Sequence, residues 1–224
     1  MPASDVAARC DGVSVDYRAA SGVVPALRDV DADFARARFS VLAGASGSGK
    51  SSLLRVLAGL KRPSAGRVAV DGTDLTRLRA GTLRRLRRAT MGIVLQDPAD
   101  NLAEYLPAIA QVELAARLRG ADRGEAAGLL DTVGLASQAG CMPHELSGGE
   151  QQRVAFAAAA IGSPALLLAD EPTAELDASA AGALVDAMCR LIDRGATLVV
   201  ASHDPAVIDA ADQVVTLRDG RVAA

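Results

Sequence analysis

Val13, Val15 and Tyr17 alternate with polar residues over 12–17, the period-two pattern of a strand with one buried face. ALRDVDADF at 26–34 continues as a second short strand. RFSVLAG at 38–44 ends in a nearly unbroken apolar run before a glycine loop, as a buried parallel strand does. From 50 to 60 the period changes. Leu53, Leu54, Leu57 and Leu60 recur at helical spacing, and the pattern stops before Pro63. GRVAVDGTDL at 66–75 reads as strand and Asp-Gly turn. Leu75, Leu78, Leu83 and Leu86 stand among six arginines over 74–88, which predicts a short amphipathic helix interrupted at Gly81. MGIVLQ at 91–96 is another strand, and 107–139, rich in Ala, Leu, Glu and Arg, is mainly helical. Beyond 150 the pattern alternates. A helix over 150–161 is followed by the strand ALLLAD (165–170), a helix over 178–193 and the strand TLVVAS (197–202). A short helix at 205–210 and a strand pair around Asp219-Gly220 finish it.

That alternation implies parallel βαβ units, and the helix-only stretch from 97 to 150 marks a helical lobe. A length of 224 residues suits one domain. With 50% hydrophobic and 23% charged residues, a disordered chain is excluded. Aromatics make up only 2% and the net charge is -3, so neither a base-stacking platform nor a duplex-binding surface is expected. Cys10, Cys141 and Cys189 form no CxxC pair, and His144 and His203 complete no metal spacing. Reduced thiols in a cytoplasmic protein are the expectation. Asp5 and Arg9 stand where a signal peptide would need apolar residues. The most apolar region, 154–169, is broken by Gly162, Ser163 and Pro164, short of the roughly 20 residues that span a bilayer.

Three motifs carry the chemistry. Gly44-Ala45-Ser46-Gly47-Ser48-Gly49-Lys50-Ser51 matches GxxxxGK[ST], after an apolar strand and before a helical pattern. Such a loop wraps phosphates with backbone N–H groups. Lys50 would reach the β- and γ-phosphates, and the Ser51 hydroxyl would ligate Mg2+. A Gly/Ser turn can match by chance, but the lysine, the serine and the flanking elements together weigh against it. Leu166-Leu167-Leu168-Ala169-Asp170-Glu171 is an apolar strand ending in two carboxylates. Beside a phosphate loop, Asp170 can hold Mg2+ through water and Glu171 can polarise an attacking water. Leu146-Ser147-Gly148-Gly149-Glu150-Gln151-Gln152-Arg153 is a Ser/Gly loop entering a helix, a second anion site with free N–H groups.

That eight-residue stretch is similar to the LSGGQ signature of ATP-binding cassette (ABC) proteins, and the chain resembles an ABC transporter ATPase subunit over almost its whole length. The resemblance implies an α/β fold: a P-loop nucleotide-binding domain with a mixed core sheet, an N-terminal antiparallel β subdomain and a helical signature lobe. The core lobe would take about 1–96 and 163–224, the helical lobe about 97–162. ATP and Mg2+ are the implied ligands. The resemblance places Gln96 as the glutamine that senses Mg2+ and water, and His203 as the switch histidine at the γ-phosphate. It makes Tyr17 the aromatic that stacks on adenine, although Tyr17 suits a plain strand position equally well. Ser52 extends the phosphate loop, and Asp177 meets a partner subunit. His144 and Cys141 read as structural or exposed. Ser52 for the frequent Thr, Leu95 for an aromatic and Ala174-Glu175 for Ser-Ala are departures, and none removes a catalytic position.

The resemblance further implies two chains, expected to be identical, joined head to tail. Each ATP would lie between the phosphate loop of one chain and Ser147, Gly148 and Gly149 of the other. The implied partner is a transmembrane permease, with the chain peripheral on the cytoplasmic face of the membrane and no nucleic acid involved. Compact length, the Leu/Arg segment at 75–88, the stretch 101–120 and the lack of a C-terminal regulatory domain resemble the branch serving lipoprotein release, macrolide efflux and cell-division permeases. Pro98, Leu102, Tyr105 and Leu106 are candidates to contact the permease. An importer ATPase for a small solute, a cell-division or signalling ATPase that moves no substrate, and a soluble ABC protein of DNA repair or ribosomes remain alternatives. The last lacks support from zinc cysteines, a coiled-coil insertion or basic charge.

Overall fold

The computed structural model describes residues 5–19 and 22–223. β1 (Val6–Ala19) and β2 (Gly22–Ala35) form a long antiparallel hairpin. Both strands extend well past the 12–17 and 26–34 stretches that alternation predicts. The register shifts between Val6 and Ala8, Cys10 and Val13, Val13 and Val15, and Val15 and Asp16. Each shift breaks the period of two while the strand itself continues. The chain then enters β3 (Phe39–Ala43), buried at every residue, and α1 (Lys50–Leu57). β4 (Ala65–Val70) returns to pair with β1, and β5 (Thr73–Asp74) completes an antiparallel sheet of order β2-β1-β4-β5. Pro25 lies in β2, an edge strand of this sheet, where a missing N–H is tolerated.

α2 (Ala80–Thr90) begins one residue before Gly81. The glycine therefore sits in a first turn whose N–H groups have no intrahelical partner, and it interrupts nothing. β6 (Met91–Val94) follows, then a 3-10 turn at Pro98–Asn101. The helical stretch is divided. α3 (Ala108–Arg119) ends at Gly120, whose φ of 73° is left-handed, and α4 (Ala126–Thr132) is a separate short helix. α5 (Gly148–Ala160), β7 (Leu166–Asp170), α6 (Ala178–Asp193), β8 (Leu198–Ala201), α7 (Pro205–Asp209), β9 (Gln213–Arg218) and β10 (Arg221–Val222) complete the order. The second sheet runs β10-β9-β3-β8-β7-β6, parallel except for the terminal β9–β10 hairpin.

Alternate residues of its central strands enter different cores, as the pleat requires. Leu42, Leu168 and Val199 point to the side of α1 and the antiparallel sheet, packing with Leu53, Leu57, Val15 and Phe34. Val41, Leu167, Leu198 and Val200 point to the other side, against Val112, Leu130, Phe156, Leu184 and Met188 of α3–α6. Each such fully buried side chain contributes roughly 1.5–3 kcal/mol. Arg119 fastens α3 to the end of α5 by donating to the carbonyls of Ala159 and Ile161, and to that of Met91. A cation there satisfies orphan helix carbonyls and suits the negative end of the helix dipole. Among the described residues no helix is long and apolar enough to cross a membrane. The carboxyl ends of β3, β6, β7 and β8 leave the sheet at one edge, where ligands of open α/β sheets bind.

Candidate active site

The loop after β3 is shaped by glycines. At Gly44 (φ 146°) a Cβ would meet the Leu217 carbonyl oxygen at 2.3 Å, and at Gly49 (φ 109°) it would meet that of Ala26 at 2.7 Å. The backbone passes where no side chain fits. Inside the turn, Lys50 Nζ donates to the carbonyls of Gly44 (2.8 Å) and Ala45 (3.3 Å), so its ammonium is held over the loop. Ala45, Ser46, Gly47, Ser48, Gly49, Lys50, Ser51 and Ser52 line a cleft of about 490 Å³, with Gln96, Glu171 and His203 across from them.

The carboxylates at the end of β7 divide in role. Asp170 accepts a hydrogen bond from Ser51 Oγ at 3.0 Å. Burial pushes its carboxyl above the usual range and the neighbouring Glu171 adds to the rise, while the Ser51 bond pulls the other way. Glu171 holds φ 44°, an uncommon left-handed conformation for a non-glycine residue, with its N–H bonded to the Ala201 carbonyl. Such conformations cost of order 1–3 kcal/mol and concentrate at functional sites. From there Glu171 reaches Lys50 Nζ at 3.3 Å through one oxygen and His203 Nδ1 at 3.0 Å through the other. His203 is largely exposed, so its imidazole can move away or towards a ligand.

The residues fit a phosphate chain and a hard cation. Ser48 Oγ is buried without a hydrogen-bond partner among the described residues, beside the glycine turn. The Ser51 hydroxyl, the Gln96 amide and the Asp170 carboxylate offer oxygens, the ligand type of Mg2+. Among the described residues no three His, Cys, Asp or Glu side chains form a metal cage.

Other expected site residues lie elsewhere. Gly44 contributes its carbonyl to Lys50 rather than to the cleft wall. Tyr17 is outside the lining; its hydroxyl is 3.4 Å from Ser52 Oγ, and Lys61 Nζ stands 4.5 Å over its ring. One ring face is thus already engaged by a cation, and only the other remains for a base. Ser147 caps α5. It accepts from the Glu150 N–H, and Glu150 Oε2 accepts from the Ser147 N–H and Oγ, both at 2.8 Å. These bonds hold the Glu150 carboxyl below its usual range. Asp177 caps α6 through the Ala180 N–H at 2.8 Å and is exposed. Ser147, Gly148, Gly149 and Asp177 therefore do not enter the cleft of their own chain. Ala26 and Ala174 do line it. An alanine gives no chemical signal in a sequence, and both are there through position alone.

The ABC transporter family model matches residues 27–174. The macrolide export ATP-binding/permease protein MacB 1/2 of Paracoccus denitrificans is 40% identical over 220 residues, which is 96% of this chain but 33% of that protein. The chain thus spans about a third of the length of the MacB relatives it matches. The lipoprotein-releasing system ATP-binding protein LolD of Anaeromyxobacter dehalogenans is 40% identical over 233 residues, covering 100% of this chain and 95% of that one. The solved dimeric structure of MJ0796, a bacterial ABC transporter cassette, superposes with a TM-score of 0.85 at 32% identity and 97% coverage of both chains. The same cassette has been solved in a dimeric post-hydrolysis state bound to ADP and Pi, again at a TM-score of 0.85. By sequence and by fold, the chain belongs to the ABC transporter family.

Proposed function

We propose that the chain is the ATP-hydrolysing subunit of an ABC exporter. It would power a separate membrane permease of the lipoprotein-release or macrolide-efflux type from the cytoplasmic face of the membrane. The observation that carries this reading is the convergence of Lys50, Ser51, Gln96, Glu171 and His203 on one cleft of about 490 Å³, while Ser147–Gly149 stand apart from it. The match to LolD over 95% of its length supports the lipoprotein-release reading. The core lobe (about 1–96 and 163–224) would carry the phosphates and the helical lobe (about 97–162) would present the signature. Each site would be completed by Ser147, Gly148 and Gly149 of a second copy, with Asp177 near the seam and Tyr17 beside the base. Pro98, Leu102, Tyr105 and Leu106 lie on the segment after Gln96 that would meet the permease.

The glycine turn and Lys50 bind and orient the phosphate chain. Mg2+, when bound, would be held by Ser51 and Gln96 with Asp170 behind them, and would neutralise phosphate charge. Glu171 accepts a proton from the attacking water, and His203, 3.0 Å from it, positions that carboxylate. A phosphate entering the turn competes with Glu171 for Lys50, which frees the carboxylate for water. Closure around ATP and opening after hydrolysis would drive the permease through differential affinity for the two states. Glu171→Gln is expected to keep ATP binding, to lose about 10²–10⁴ in hydrolysis rate, and to accumulate as an ATP-bound dimer in sedimentation. Hydrolysis at the wild-type rate would remove Glu171 from this role.

A further inference from the structure

β6 ends at Val94 and β7 at Asp170; Glu171 keeps one bond to the sheet, its N–H to the Ala201 carbonyl, while Leu95, Gln96 and Pro172 lie past the ladder that aligns the sheet. Two amide side chains take over that task. Gln152, fully buried on α5, donates its two Nε2 hydrogens to the carbonyls of Leu95 (3.1 Å) and Gln96 (3.0 Å), and Nε2 also stands 3.5 Å from the Pro172 carbonyl. Its Oε1 accepts from Asn101 Nδ2 at 3.1 Å. Asn101 in turn bonds both backbone groups of Leu95, accepting its N–H at 2.7 Å and donating to its carbonyl at 3.0 Å, and also donates to the Asp97 carbonyl. One buried glutamine therefore touches the loop bearing Gln96 and the turn bearing Glu171. It sits on the same rigid helix that Ser147 caps.

We propose that Gln152 and Asn101 form a clasp that holds Gln96 and Glu171 in register with the signature end of α5. This makes both of them positioning residues for hydrolysis. The inference rests on the ATPase reading above. A displacement of α5, as when a partner's phosphates engage Ser147, moves Gln152 and hence both catalytic segments together. The clasp makes no direct contact with the phosphate turn or Lys50, so its loss should weigh more on the chemical step than on nucleotide capture.

The test is steady-state ATP hydrolysis by Gln152→Glu and Asn101→Leu from about pH 8 to about pH 6, with nucleotide binding and thermal melting measured in parallel. At pH 8 a carboxylate facing three carbonyls breaks the clasp. The expected result is a kcat loss of about tenfold or more with KM within about threefold. As the pH falls, a glutamic acid at 152 regains an O–H donor and keeps a C=O acceptor. Its activity relative to wild type should then rise. Asn101→Leu has no such group and should stay impaired at every pH. A kcat within about twofold of wild type for both variants, or parallel losses in binding, melting and kcat with no recovery on acidification, would overturn the clasp. A wild-type chain that hydrolyses no ATP would instead overturn the ATPase reading, and the clasp's role with it.

Discussion

Asp170 serves two opposed ends. Its carboxyl is pushed upward mainly by burial and further by Glu171, so ionising it costs more in the folded chain than in the unfolded one. For an acid whose folded pKa is raised, the favourable contribution exists below the unfolded pKa and is lost as pH rises through the folded one. Asp170→Asn removes the charge and can still accept from Ser51 Oγ. It should therefore melt higher than wild type at pH 7, with the gain shrinking to nothing below about pH 4, while Mg2+-dependent hydrolysis is lost. An unchanged or lower melting temperature at pH 7 would show that desolvation does not dominate at this residue. Most residues that line the candidate cleft were legible at this scale. Phosphate wrapping needs glycines at positive φ followed by lysine and a hydroxyl, and few other structures need that series. Tyr17 was only half legible, because an aromatic in a strand serves packing equally well and its stacking on Lys61 comes from distant sequence. Gln152 was hidden in a run of glutamines, since a buried amide looks the same in sequence as an exposed one.

Among the elements, the junction of α5 and α6 is the tightest around the signature. A Cβ at Gly149 would lie 2.8 Å from Ala180 Cβ, in the first turn of α6 that Asp177 caps. Gly149→Ala gains roughly 1 kcal/mol of helix propensity but forces the two first turns apart, at a cost of typically 1–3 kcal/mol. The net expectation is a destabilised protein. Ala180→Gly alone loses propensity and a methyl contact. Together the two changes restore the clearance, so a double-mutant cycle on denaturation midpoints should give a favourable coupling of about 0.5–3 kcal/mol. Additive effects would mean that the helices adjust freely and that Gly149 is kept for ligand access alone. Element type was largely evident from periodicity, because β7, β8 and α6 bury the faces their patterns mark. The hairpin was read too short, because bulges shift the alternation while backbone pairing continues. The division between α3 and α4 follows from Gly120 in the left-handed region, a single residue in a composition that otherwise favours helix.

At the scale of the whole molecule, the proposed dimer would give each chain half of two sites, and the halves can be disabled separately. Lys50→Met removes the ammonium from the phosphate turn. Gly148→Asp disables the signature without disturbing its packing. A Cβ at Gly148 makes only ordinary contacts, 3.8 Å to Leu176 Cδ2 and 4.0 Å to Pro98 Cγ. A carboxylate in the first turn of a helix also suits the dipole, while it repels the phosphate that the proposed arrangement brings there. Each variant alone should fold and be nearly inactive. When the two are mixed and allowed to exchange subunits, a mixed dimer pairs the Lys50→Met turn with the Gly148→Asp signature in one site. The other site keeps both wild-type halves. Random pairing makes half the dimers mixed, so about a quarter of the wild-type rate should return if the two sites turn over independently. If the signature instead acted on its own chain's cleft, every chain would carry a lesion in its only site, and mixing would recover nothing. Ser147, Gly148 and Gly149 do not line the cleft of their own chain, which favours the first outcome.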